Sequence, residues 1–389
     1  MSNWMIDSSE LDTEQTHFLF DLDEKNIWLK GFAGSGKSVL LIYSIRDKIQ
    51  NNPDVSICVV VFTNSLIQMF TAGMLELKIP EKNVYLTTYH KFKKDNFTYD
   101  YIFCDEVQDL PKSILENMRN RSKQLILAGD SNQSIYKTDP STNEATVTPS
   151  EISLITQTNP YALENNYRLT KSIIKLVQKL LPDIDISSKV DNTKDDMSVR
   201  LCNTNNEDKE VEYILSEADE AIKIDESVVI ILQTHEDIIK FVNLVLLIKN
   251  KQQWKLIMDR WGKKPDWFLL NQYLLNSGVN IEYIGNGIGT LSSSVSAGKM
   301  IIMTYHSSKG LDFDNVFLPF LHNNRDEWFN NVIFTKTLFM VGMTRSKESL
   351  YLTYTGEKHK YITVFIDECT LIDIDSFTND SDDDLDFDF

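Results

Sequence analysis

The sequence predicts an α/β protein of two tandem domains, each a parallel sheet flanked by helices. Three observations carry that prediction. Strand-like apolar runs alternate with helix-like runs in both halves, the pattern of sheets covered on both faces. The length, 389 residues, suits two ordinary domains, each with its own core. A glycine-rich loop, Gly31-Phe32-Ala33-Gly34-Ser35-Gly36-Lys37-Ser38, sits between an apolar run (27–29) and a helical one (39–45). That is the strand–loop–helix setting of a phosphate-binding loop.

In order, strands are expected at 26–30, 57–62, 84–87, 101–104 and 125–128, with helices at 36–50, 65–77 and 111–119. A polar stretch at 138–150 follows, and the division is placed close after it. The first domain is then 1–158, the second 159–370, and 371–389 an acidic tail. In the second half, 170–181 reads as a helix ended by Pro182, and 183–197 as a polar connection. The strand 227–233 is nearly all apolar. Thr234, with Glu236 and Asp237 behind it, opens a helix that runs to about 250. Further strands are expected at 280–284, 299–304, 316–319 and 350–355, and the Gly- and Ser-rich 285–298 is expected to be a flexible loop.

Apolar content of 42% and charged content of 25% are ordinary for a globular protein. No run approaches the ~20 apolar residues of a membrane span. The N-terminus lacks the basic-then-apolar pattern of a secretory signal. Cys58, Cys104, Cys202 and Cys369 are far apart and without metal-ligand spacing, so buried reduced thiols and a cytoplasmic setting are expected. The net charge of −18 argues against a broad basic surface. Eight of those charges are aspartates between 373 and 389, where no Lys or Arg stands, and removing them still leaves −10. Any nucleic-acid path must then be a narrow groove. The stretch 376–389 is acidic and poor in core formers, and is expected to be disordered.

The loop itself points to phosphate chemistry. Its glycines let successive backbone N–H groups turn inward around an anion, and the following helix adds its positive end. Gly34, Ser35, Gly36, Lys37 and Ser38 are therefore the candidate phosphate binders. Lys37 would reach the β- and γ-phosphates and Ser38 would be a Mg²⁺ ligand. A nucleoside triphosphate is the expected ligand. A second signal is the apolar strand ending in Asp105-Glu106. There Asp105 would act through the metal, and Glu106 would orient or deprotonate a water.

Asp105-Glu106-Val107-Gln108-Asp109 resembles the second motif of superfamily 1 helicases of the UvrD/Rep type. The family's other motifs follow its order over roughly residues 10 to 356. Gln15 matches the glutamine that reads the adenine edge. Phe62-Thr63-Asn64 and Thr88-Tyr89-His90 match early motifs that touch single-stranded DNA. The run from Ala128 to Tyr136 matches the third motif, whose Gln133 would sense the γ-phosphate. Asn166-Tyr167-Arg168 matches the fourth, with Tyr167 stacking on adenine and Arg168 reaching the γ-phosphate. Thr304-Tyr305-His306-Ser307-Ser308-Lys309-Gly310-Leu311-Asp312-Phe313 matches the fifth, and Val341-Gly342-Met343-Thr344-Arg345 the sixth, whose Arg345 is the finger from the second domain.

The resemblance implies two RecA-like domains with ATP and Mg²⁺ in the cleft between them. Catalysis would fall to Lys37, Asp105, Glu106, Gln133, Arg168 and Arg345, and nucleotide binding also to Gln15, Tyr167 and Asp312. The metal would be held by Ser38 and Asp105. Phe62, Thr63, Asn64, Thr88, Tyr89, His90, Tyr136, Thr304 and His306 would touch the strand.

This sequence departs from the family's pattern in several places. Only 91–99 separates the early DNA-contacting motif from Asp105-Glu106, where the family usually inserts a helical block. Lys137-Thr138-Asp139 follows Tyr136, where the family has an arginine–tryptophan–arginine run whose tryptophan stacks on a base. Val39 and Lys336-Thr337 replace arginines, and Asp312 replaces a glutamate. The expected function is an ATP-dependent single-stranded DNA translocase or helicase, moving 3′ to 5′. The alternative is a nucleotide-gated regulatory ATPase subunit of a DNA-repair or phage-defence complex. The closing Asp-Asp-Asp-Leu-Asp-Phe-Asp-Phe is similar to the acidic, phenylalanine-ended tip of bacterial single-stranded DNA-binding proteins, so a protein partner for the tail or the bare motor surfaces is a further expectation.

Overall fold

Two apolar strands, one in each half, set the architecture, because each alternates its side chains between two cores. The computed structural model describes residues 5–376 apart from 21, 23–24, 137, 140–142, 185–188, 191–195, 324–327 and 330–331. The first half runs α1 (Thr13–Phe20), β1 (Ile27–Lys30), α2 (Lys37–Asn51), β2 (Ile57–Val61), α3 (Asn64–Glu76), β3 (Val84–Thr88), α4 (Tyr89–Phe92), β4 (Tyr99–Cys104), α5 (Lys112–Asn120), β5 (Ser122–Gly129), α6 (Pro149–Thr156) and β6 (Asn159–Ala162). A short pair, β7 (Asn165–Asn166) with β8 (Lys189–Val190), flanks α7 (Lys171–Leu180). The second half runs β9 (Val199–Thr204), α8 (Glu207–Lys223), β10 (Val228–Leu232), α9 (His235–Ile248), α10 (Trp267–Asn276), β11 (Ile281–Tyr283), α11 (Leu291–Ser296), β12 (Met300–Thr304), α12 (Tyr305–Ser308) and β13 (Phe313–Leu318). It closes with the two-stranded ribbon β14 (Trp328–Phe329) and β15 (Val332–Ile333), then α13 (Lys336–Met343), β16 (Ser346–Thr355) and β17 (Cys369–Asp373).

The first sheet has the order β3-β2-β4-β5-β1-β6 and the second β11-β12-β10-β13-β16-β9-β17, and every pair within them is parallel. In β2, Ile57, Val59 and Val61 enter one core while Cys58 and Val60 enter the other. In β10, Val229 and Ile231 face one way and Val228, Ile230 and Leu232 the other, the period-two alternation of a strand covered on both faces. Parallel strands end on one side of their sheet, and ligands of such sheets lie at that edge. The loops after β1, β4 and β5 gather there. The α/β expectation holds, with two parallel sheets.

Four details differ from the sequence expectation. The division after 158 falls before β6, yet β6 hydrogen-bonds along β1 from Ile27–Asn159 to Lys30–Ala162, so the chain leaves the first sheet only after Ala162. The stretch 285–298 is a tight turn followed by α11, which is tied to the first half: Gln68 Nε2 donates to the Gly289 carbonyl (3.1 Å), and its Oε1 accepts from Leu291 N–H (3.1 Å). The tail does not begin at 371. Leu371 and Ile372 pair with Leu201 and Cys202, and the Asp375 carboxylate accepts from Thr204 Oγ1 and Asn205 N–H, each at 3.0 Å. Strands β9 and β17 and helices α8 and α10 were not among the expected elements, although α8 carries helical spacing in Val211, Ile214, Leu215 and Ala218. The expectation for 377–389 lies outside the described residues. Cys58, Cys104 and Cys202 are buried free thiols and Cys369 is half-buried.

Candidate nucleotide site and strand groove

The phosphate loop follows β1 into α2, as its glycines require. Gly34 and Gly36 have φ of 87° and 85°, a region that costs an L-residue strain. At Gly34 space forbids a side chain as well, since a Cβ there would lie 2.5 Å from Arg168 Cβ and 3.2 Å from its backbone nitrogen, whereas one on Gly36 would displace only the end of the Gln15 side chain. Gly34→Ala should therefore weaken nucleotide binding roughly tenfold or more, which titration calorimetry would read directly.

Lys37 Nζ donates to the carbonyls of Gly31 (2.8 Å) and Phe32 (3.0 Å), so it closes the loop from inside. Ser38 Oγ donates to Asp105 Oδ2 at 2.6 Å, which brings the two expected metal ligands together. Glu106, the second residue after β4, has φ 56° and ψ 42°, a left-handed conformation that non-glycine residues adopt at a cost and that recurs at functional sites. Its Oε2 accepts from Gln108 Nε2 at 2.5 Å. The two adjacent acids are driven apart. Burial, then the Glu106 charge, pushes the Asp105 carboxyl to about 6. For Glu106, burial works to raise it, but Lys309, Lys37 and Arg345 outweigh burial and hold it below the usual carboxylate range. Groups whose environments separate their titrations in this way are candidates for distinct acid–base roles.

The second half reaches into the same place. Asn166 Nδ2 donates to the Ala33 carbonyl (2.6 Å), and Tyr167 N–H to that of Gly34 (3.0 Å), so the segment carrying Arg168 is laid directly on the phosphate loop. Arg168 pairs with Asp312 at 2.7 Å; the residue expected among the nucleotide binders holds the arginine. Arg345 is buried, with Nε donating to the Val341 carbonyl (2.8 Å), Nη1 to that of Leu311 (3.0 Å), and Nη2 towards Gln133 Oε1 (3.4 Å). Gln15 lies over the loop, its Nε2 donating to the Ser35 carbonyl at 3.3 Å. Tyr167 is more than a third exposed and its hydroxyl donates to Asp12. Together these side chains border a cleft of about 680 Å³ between the halves.

Lys309 was not singled out from the sequence. It is buried, pairs with Asp109, lies 3.5 Å from Glu106 and donates to the Gln133 carbonyl at 2.6 Å. One second-half ammonium thus binds three first-half residues of the second and third motifs. The signal was available, since Lys309 stands inside the fifth motif just before Gly310 (φ 79°). Its partners, however, are some 200 residues away in the chain.

On the same edge of both sheets, a second cavity of about 530 Å³ is bordered by Phe62, Thr63, Asn64, Thr88, His90, Tyr136, Thr304 and His306. These are eight of the nine residues expected to touch a strand. Phe62 stacks on Tyr136 (4.8 Å between ring centres), and Tyr136 meets His306 of the other half (5.4 Å). Tyr89, the ninth, is a correction. It is buried at 2% exposure beneath Phe62, 5.0 Å ring to ring, because α4 turns its first side chain into the core; it supports the groove floor instead of lining it. Gln233, Thr234, His235 and the Gly285–Gly287 turn, from the second half, complete the walls.

Residues 27–240 match the viral superfamily 1 RNA helicase core domain, more than half of the chain. The chain belongs to the superfamily 1 helicases. Residues 280–357 also match the UvrD-like helicase C-terminal domain. Among solved structures, arterivirus nonstructural protein 10 (helicase) shares 13% identity at a TM-score of 0.44, over 87% of this chain and 61% of that one. The same arterivirus helicase with DNA gives 14%, 0.42, 87% and 63%. The PRRSV helicase gives 11%, 0.44, 88% and 54%. The chain thus spans under two thirds of the length of these neighbours. No curated protein matches it by sequence.

Superfamily 1 helicases use a nucleoside triphosphate and a divalent metal, and the cleft fits that pair. Ser35 Oγ and Gln133 Nε2 are buried polar atoms with no hydrogen-bond partner among the described residues, which a phosphate oxygen would satisfy. Among the described residues no three His, Cys, Asp or Glu side chains converge on a metal. A helicase metal here would rest on Ser38 and Asp105, as Mg²⁺ does when phosphates and water supply its other ligands.

The Asp105 titration gives a pH dependence. Cation binding needs the ionised carboxylate, so metal-dependent nucleotide affinity should rise as pH climbs from about 5 to about 7 and then level off. Folding stability should move the other way. An acid raised from 3.8 to about 6 binds its proton more tightly in the folded state, so its contribution is lost as pH rises through that window. Nucleotide titrations at fixed Mg²⁺ across that range, beside melts without nucleotide, check both signs. No helix among the described residues is long and apolar enough to cross a membrane.

Proposed function

We propose that this superfamily 1 helicase is an ATP-dependent translocase on single-stranded DNA that moves 3′ to 5′. One observation carries the reading: the halves that share the nucleotide cleft also share the aromatic groove. Lys37, Ser38, Asp105, Glu106 and Gln133 come from the first half and Arg168, Lys309 and Arg345 from the second. Phe62 and Tyr136 meet His306 across the same junction. Any change of spacing between the halves that follows hydrolysis therefore changes the groove.

In this mechanism Ser38 and Asp105 would hold Mg²⁺, which would neutralise phosphate charge. Lys37 exchanges its loop carbonyls for phosphate oxygens. Glu106, kept ionised by Lys309, orients the attacking water and takes its proton. Arg168 and Arg345 present fixed positive charge to the oxygens where negative charge develops. In the groove, stacking on Tyr136 and Phe62 is tolerant of sequence, as a track requires. DNA is taken as the strand because Thr304 and His306 lie within the UvrD-like stretch; Phe62, Thr88 and Tyr136 lie within the match to the viral RNA helicase core, so RNA is the second arm of the test.

Steady-state ATP hydrolysis tests the proposal, with and without single-stranded DNA or RNA, over a salt series, with Lys37→Ala as the blank. Stimulation by DNA that falls steeply with salt is the expected result. Hydrolysis indifferent to either polymer contradicts the motor. It would favour a nucleotide-gated regulatory subunit, the reading the acidic charge of −18 supports.

A further inference from the structure

The stretch between α9 and α10 carries the densest positive charge on an acidic chain. Lys249, Lys251, Lys255, Arg260, Lys263 and Lys264 fall within sixteen residues. The distal part, 257–266, is a built hairpin. Asp266 N–H donates to the Ile257 carbonyl and Asp259 N–H to that of Lys264, both at 2.8 Å, with Met258 and Pro265 bridged. The acid inside the turn is already used, since Asp259 Oδ1 accepts from Trp261 N–H (3.1 Å) and Lys263 N–H (3.0 Å). Trp261 stands 63% exposed with the Arg260 guanidinium 3.9 Å from its ring centre. Arg260, Lys263 and Lys264 form no ion pair among the described residues.

The hairpin's end adjoins the groove wall through the next residue of the chain. It leads directly into Trp267, which stacks on Tyr283 (4.0 Å) and meets His235 edge-on (4.9 Å), and His235 is a groove wall. Burial and then the Lys264 ammonium hold the His235 imidazole below its usual value. An exposed indole with flanking cations is the equipment for base stacking and phosphate contact.

We propose that the 257–266 hairpin is a second nucleic-acid contact, continuous with the groove, where Trp261 stacks on a base and Arg260, Lys263 and Lys264 meet phosphates beyond the groove. The inference rests on the groove being the strand site, and the test separates the two. The probes are fluorescent single-stranded DNA of 6 and 20 nucleotides, titrated in a salt series. The proteins are the wild type, a hairpin variant (Arg260→Ser, Trp261→Ser, Lys263→Ser), the groove variant Tyr136→Ala, and each of these shortened after Ser376. The shortened chains are included because the acidic charge of 377–389 would compete with nucleic acid for the hairpin's cations.

The hairpin variant should bind the 20-mer at least tenfold more weakly, with a salt slope smaller by about 1–2. It should bind the 6-mer as the wild type does and keep its ATP hydrolysis without DNA. A hairpin effect seen only in the shortened chains also supports the contact and identifies the acidic stretch as its competitor. Equal 20-mer affinity and slope for hairpin variant and wild type, at both chain lengths, would overturn the proposal. A Tyr136→Ala variant that binds both probes normally would instead remove the groove reading beneath it.

Discussion

Lys309→Met should lower the stability of the protein by about 3–5 kcal/mol and shift the acid limb of its hydrolysis profile to higher pH. The Lys309 ammonium is buried at 2% exposure between Asp109, Glu106 and the Gln133 carbonyl. Methionine keeps the length of the chain and removes the charge, which leaves Asp109 buried without its partner; burial already pushes that carboxyl up to about 6. Breaking a buried pair from one side is far costlier than replacing both partners, so Lys309→Met with Asp109→Asn should recover much of the loss.

The kinetic signature is separate. Lys309 is the largest of the influences that hold Glu106 below its usual value against burial. Without it Glu106 keeps its proton to higher pH, and the base is available only there. The double variant should regain stability without regaining the pH profile, which a merely structural role would not produce. Thermal melts and kcat against pH read the two effects. An unchanged melt with an unmoved acid limb would contradict the assignment.

Glu106→Gln should reduce turnover on the order of 10²–10⁴-fold while nucleotide affinity stays within a few-fold of the wild type. The substitution is nearly isosteric, and glutamine can still accept from Gln108 Nε2 through its own carbonyl oxygen, so the left-handed turn at Glu106 has no new reason to move. What disappears is the capacity to take a proton. Lys37→Ala should differ in kind, with both binding and turnover lost, since in the proposed mechanism Lys37 would meet the phosphates themselves. Single-turnover hydrolysis beside equilibrium binding separates these cases. Loss of binding in Glu106→Gln would mean that the carboxylate holds the nucleotide and is not the base.

The phosphate loop and the Asp105-Glu106 pair were legible because their chemistry is local: a strand end, two glycines at positive φ and a helix start lie within a dozen residues. The central strands were legible because apolar runs such as 228–232 have no other stable place. Lys309 was not, because a buried ion pair is a property of two segments and its partner Asp109 lies in the other half. Tyr89 looked like a ligand from its neighbours in the motif; only the direction of α4 shows that its ring is beneath Phe62. The helix α11 hides in a Gly- and Ser-rich stretch and is held by Gln68, which no local pattern announces. Strand β17 is equally quiet, since Asp373 and Asp375 make its edge resemble the acidic stretch beyond it, while Leu371 and Ile372 pair with β9.

The central claim is that one junction serves both the nucleotide cleft and the groove, and its most direct test is linkage. The affinity of a fluorescent single-stranded 20-mer should be measured without nucleotide and with Mg²⁺ and a non-hydrolysable ATP analogue. The shared junction predicts affinities that differ by about 5- to 150-fold, with the analogue's own affinity shifted by the same factor when DNA is added. Equal affinities with and without the analogue would show that the two sites do not communicate, and would contradict the claim.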